Sequence, residues 1–125
     1  MTYIALLCIV TFMAISKDLV AASARPILLA ILERGENYGY AVIQEVRRLS
    51  GGQLQWSDGM LYPVLHRLEK EELITATWKT SDEGRRRKYY KLNRQGTKAL
   101  CAERAQWYAV HSTLAQLWGT DPCLT

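Results

Sequence analysis

The sequence is short of the residues from which reactive centres are built. Its three cysteines, Cys8, Cys101 and Cys123, lie far apart. They form no CxxC pair and no Cys/His cluster with metal-ligand spacing, which excludes a zinc site and a disulfide framework and points to reduced thiols in a cytoplasmic protein. There are two histidines, and His66 has no cysteine, aspartate or second histidine at ligand spacing, so no metal and no cofactor is implied. Nucleophile–base pairings, paired carboxylates and a phosphate-binding loop are also missing, which argues against an enzyme. The first 16 residues carry no charged side chain. This apolar start is too short for a membrane span of roughly 20 residues, and it lacks the basic leader and small-residue cleavage site of a secretory signal.

Three readings of residues 1–16 follow: an apolar helix in a dimer interface, a weak membrane-associating segment, or translation from upstream of a natural start at Met13. The third is favoured, because Met13-Ala-Ile-Ser-Lys-Asp already reads as an ordinary soluble N-terminus. Membrane attachment is the weaker alternative.

What is present is a single domain's length, 125 residues, with a net charge of +4 that is unevenly placed. Residues 79–98 hold eight basic side chains against Asp82 and Glu83. That makes the stretch +6 and leaves −2 for the remainder. Such a field favours a polyanion; the alternative is a solvated charged hairpin.

Along the chain, Ser23 reads as an N-cap and Pro26 as a first-turn residue of an apolar helix that Gly35 ends. A second helix starts near Tyr38-Gly39-Tyr40, buries Val42, Ile43, Val46 and Leu49, and stops at Gly51-Gly52. The third is the short helix on which the rest is organised. Ser57 caps it, and at 100° per residue Leu61, Val64, Leu65 and Leu68 share one face. Gly59, Tyr62, Pro63, His66, Arg67 and Lys70 share the other. Pro63 predicts a kink or an irregular first turn.

After Glu72 the period changes to that of strands. Residues 73–80 and 85–92 form a hairpin around Ser81-Asp82-Glu83-Gly84, with Arg85 and Arg87 on one face and Arg86 and Lys88 on the other. Trp56 and Trp78 read as core or hairpin-base residues. Asn93 caps a long helix over about residues 94–118. In it Leu100, Trp107 and Leu114 repeat every seven residues, Val110 and Leu117 take the other seam positions, and Glu103 interrupts. The pattern predicts pairing with a second subunit.

Three helices, a hairpin and a long helix make a mainly α fold with a small β-hairpin. It is the order of a winged helix-turn-helix (17–93) followed by a C-terminal dimerisation helix (94–119) and a short tail (120–125). In such a fold the third helix enters the DNA major groove and the wing reaches phosphates or the minor groove.

Tyr38-Gly39-Tyr40, the run from Gly59 through Tyr62-Pro63 to Glu69, and Gly84-Arg85-Arg86-Arg87-Lys88-Tyr89-Tyr90 together resemble the PadR family of bacterial transcriptional regulators. The resemblance covers about residues 17–119, and the single C-terminal helix looks like the compact subgroup of the family. It implies a homodimer, usually a repressor, that binds inverted-repeat operators in double-stranded DNA and in many members is released by a small aromatic or cationic effector. The implied DNA contacts are Ser57, Gly59, Tyr62, Pro63, His66, Arg67, Lys70 and the wing residues Arg85, Arg86, Arg87 and Lys88. Trp107 is the candidate for stacking on an effector; packing across the dimer interface is its plainer role. Tyr62 could instead be a core-margin residue, and Arg67 could pair with Glu71. A winged-helix module that binds an acidic protein partner, and no DNA, is the alternative function.

Overall fold

The computed structural model describes residues 15–119. The apolar start with its proposed Met13 initiation, and the tail beyond residue 119, lie outside the described residues. The elements run α1 (Lys17–Glu33), β1 (Asn37–Tyr38), α2 (Gly39–Leu49), α3 (Asp58–Lys70), β2 (Ile74–Thr80), β3 (Arg86–Leu92) and α4 (Arg94–Trp118).

The first helix begins earlier than its sequence suggests. Ser16, not Ser23, is the cap, its Oγ accepting from the Leu19 N–H at 3.2 Å. Ser23 sits inside the helix and donates to the Leu19 carbonyl at 2.7 Å, and Pro26 falls mid-helix. Ala24, Leu28, Leu29, Ile31 and Leu32 of α1 are buried at the centre of the core. Around them pack Val42 and Val46 of α2, Leu61, Leu65 and Leu68 of α3, Ile74 of β2, Tyr90 of β3 and Leu100 of α4. Trp56 is buried with them, as expected. Burying a leucine contributes about 1.5–3 kcal/mol, so the inner face of α3 is firmly fixed.

Two short segments set the wing. Asn37–Tyr38, expected only as a helix start, forms a third strand against Tyr89–Tyr90, so the sheet order is β1-β3-β2 rather than a simple hairpin. Helix α3 ends with the Leu73 N–H bonded to the Leu68 carbonyl at 3.0 Å and the Glu72 N–H to the Glu69 carbonyl at 3.0 Å. This is a Schellman ending, and it places Glu72 at φ 61° in the left-handed position that glycine favours. The chain turns straight into β2.

Strands β2 and β3 pair antiparallel from Ile74↔Leu92 to Thr80↔Arg86. Asn93 then locks wing to helix. Its Oδ1 accepts from the Gly96 N–H at 2.8 Å, and its amide donates to the Glu72 carbonyl at 2.7 Å. A β-carbon at Gly96 would run into the Leu73 carbonyl and the Leu92 side chain, so close packing of α4 on the wing base needs glycine there.

No described helix is long and apolar enough to cross a membrane.

Candidate nucleic-acid interface

Helix α3 divides as its periodicity requires. Leu61, Leu65 and Leu68 are buried and Val64 is half-buried, while Ser57, Gly59, Tyr62, Pro63, His66, Arg67 and Lys70 are all exposed. The helix runs unbroken through Pro63. Its first turn is an ordinary capped start, where the Ser57 carbonyl accepts from both Met60 (3.1 Å) and Leu61 (2.9 Å) while Ser57 Oγ accepts from the Met60 N–H at 3.3 Å. Proline has no N–H, so the Gly59 carbonyl has no helix donor at residue 63.

Arg67 does not pair with Glu71. That carboxylate is held at 2.9 Å by Arg25 of α1, which also bonds Glu103 of α4 at 2.8 Å. The hydrogen bond it donates to Glu71, helped by the one to Glu103, pushes the Arg25 guanidinium above its ordinary value despite partial burial. Three helices thus meet on one guanidinium, and Glu103, the break in the seam, is accounted for. Among the described residues Arg67 has no ion-pair partner.

The four cations of the wing have different surroundings. Arg85, in the turn, is exposed, and its N–H bonds Ser81 Oγ at 3.1 Å. Arg86 lies over the Trp78 ring, 5.0 Å from its centroid. Arg87 lies over Tyr38 at 4.4 Å, and Tyr38 meets Tyr89 edge-on at 5.3 Å. Lys88 reaches Glu69 at 3.6 Å and the Tyr90 ring at 5.5 Å. On the far face Lys79 pairs with Glu36. Part of the formal charge is therefore met within the chain, and of the four wing cations Arg85, Arg86 and Arg87 are left without a carboxylate among the described residues.

Trp78 departs from its expected place. It shares a strand face with buried Ile74 and half-buried Ala76, but the hairpin outruns the domain body, so Trp78 emerges into solvent. With Tyr38, Gly39, Tyr40 and Tyr62 it lines a cleft of ≈ 340 Å³ between α3 and the wing, whose other walls are Tyr90 and Arg85 to Lys88. Alternation along β2 put Trp78 on the inward face; only the length of the hairpin beyond the core shows that this face is open there.

The expected seam on α4 is also only partly a surface. Leu100 is buried by its own chain. Trp107 and Leu114 are half-buried, and Val110 and Leu117 are exposed. A second cavity, ≈ 490 Å³, opens between α1 and α4, lined by Pro26, Ile27, Ala30, Leu100, Trp107 and Tyr108 among others.

Comparison with known proteins agrees with this arrangement. Over 96 residues, 77% of this chain and 88% of its relative, the sequence is 29% identical to protein X of Lysinibacillus sphaericus. It is 34% identical over 82 residues to the transcriptional regulator YqjI of Escherichia coli, of which it spans 38%. The crystal structure of a PadR-like transcriptional regulator from Bacillus cereus superimposes with a TM-score of 0.73 at 28% identity, covering 84% of this chain and 100% of that one. The profile of the transcriptional regulator PadR-like family matches residues 28–102, from within α1 into α4. That span takes in the whole of α3 and the wing, and the chain belongs to the PadR-like family of transcriptional regulators, DNA-binding winged-helix proteins rather than enzymes.

Proposed function

We propose that two copies of this chain bind an inverted-repeat operator in double-stranded DNA and repress transcription in the cytoplasm until a small aromatic or cationic effector releases them. The observation that carries this reading is the pairing of two surfaces. Helix α3 presents Tyr62, His66, Arg67 and Lys70 outward from a buried leucine face, and the cationic wing stands beside it. A helix of this kind fits the major groove, where arginine is a good reader of guanine, while the wing reaches phosphates. Ser57, Gly59 and Pro63 sit at the helix start, where the chain can come close to a phosphate.

Val110 and Leu117, exposed on a 25-residue helix, support pairing of α4 with a second copy, and Trp107 and Leu114 border the same strip. The cavity between α1 and α4 has the size and largely apolar lining of a small-molecule site, and Trp107 in its wall supports stacking on a planar effector.

Selection of duplex sites by the purified protein from a random library, at stated salt, tests this together with its mass in solution. A dimer that enriches an inverted repeat with half-sites about 10 base pairs apart is the expected result. Enrichment of no site would favour the acidic-partner alternative.

A further inference from the structure

The exposed aromatics beneath the wing are not explained by the fold. Tyr40, Trp78 and Tyr62 are 64%, 56% and 38% exposed, and all three line the one cleft between α3 and the wing. Four cations and no carboxylate share its walls. A flat apolar ring left open to water beside cations has the chemistry of a surface that meets sugar and phosphate together. We propose that Trp78 is itself a DNA-contact residue, packing its ring against the deoxyribose of the strand that passes through this cleft while Arg86, stacked on the same ring, takes the adjacent phosphate.

This rests on the DNA-binding reading above and deepens it. When a helix lies in a major groove and its wing lies over the neighbouring minor groove, one phosphodiester strand must pass between them. The cleft bounded by Tyr62 on α3 and by Trp78 and Arg86 on the wing occupies that position. The stack also restricts the guanidinium before DNA arrives, so less side-chain freedom is lost on contact. The contact is to the backbone and carries no base preference.

The test is a double-mutant cycle of Trp78→Ala and Arg86→Ala, with dissociation constants measured on the selected operator, a random duplex and a single strand at one salt concentration. Trp78→Ala is expected to weaken both duplexes alike, on the order of tenfold. It is expected to weaken them again in the Arg86→Ala background, and Trp78→Phe to restore most of the loss. Binding unchanged by Trp78→Ala overturns the proposal. So does a loss that vanishes once Arg86 is gone, because Trp78 would then only hold the arginine. A loss confined to the single strand also overturns it. If the unsubstituted protein binds no duplex at all, it is the DNA-binding reading that fails, and the two failures are separate. Unchanged circular dichroism and melting of Trp78→Ala confirm that the exposed ring is not needed for folding.

Discussion

The hydroxyl oxygen of Tyr62 lies 2.5 Å from where a β-carbon at Gly39 would stand, with the adjoining ring carbon at 2.9 Å. Tyr62 is the aromatic residue of the outer face of α3, and Gly39 is the first residue of α2, so the seat of this side chain exists only because α2 starts with glycine. Gly39→Ala is expected to push the exposed ring aside at a cost below about 1 kcal/mol, since only the far end of a flexible side chain must move. In a Tyr62→Ala background the same change should cost nothing or give a small gain, since alanine suits a helix better than glycine. Urea denaturation of the four proteins in the cycle measures this.

Glu72 holds a left-handed conformation at φ 61° that an ordinary side chain adopts at a cost. Glycine adopts it freely, and Glu72 enters its bonds only through its own amide, to the Glu69 carbonyl, and its own carbonyl, which accepts from the Asn93 side-chain amide, so none needs the Glu72 side chain. Glu72→Gly is therefore expected to raise stability by up to about 1 kcal/mol. A lower denaturation midpoint would show that the Glu72 side chain does something its exposed position does not suggest.

Tyr90 gives an alkaline signature. Burial first, then the Glu69 carboxylate and Tyr62, pushes its phenol up to about 12. An unfolded chain's tyrosine ionises near 10. Across that window the unfolded state releases a proton the folded state keeps. The stability is thus fully present below about pH 10 and is lost as pH rises toward 12, with about 1 kcal/mol gone by pH 11. Tyr90→Phe should flatten this branch of the stability–pH curve relative to the parent protein. Denaturant melts at pH 8 and pH 11 measure the difference.

Much of this was legible in the residues. The Leu61, Leu65 and Leu68 spacing marks the buried face of α3 because a helix can bury one stripe only, and Ser57 and Asn93 mark helix starts because their side chains satisfy orphan N–H groups. Other features have no periodic signal. Ser23 looks like a cap, but its hydroxyl bonds back within α1, and the same residue type serves both roles. Strand β1 is two residues long and exists only through its pairing with β3. The covering of Leu100 and the diversion of Glu71 to Arg25 depend on which helix lies against which, and spacing along one helix does not contain that. The same holds for Trp78, whose strand face is inward at Ile74 and open four residues later.

The central claim is that α3 and the wing form a duplex-binding face whose charge resides chiefly in Arg85, Arg86 and Arg87, the first two of which are exposed. The most direct test is the salt dependence of operator binding for the parent protein and for the Arg85→Ala, Arg86→Ala double variant. Each lost phosphate contact should reduce the slope of log binding constant against log salt by about 0.9, so the double variant is expected to be shallower by about 1.8, on operator and random duplex alike. Slopes that coincide would contradict the account.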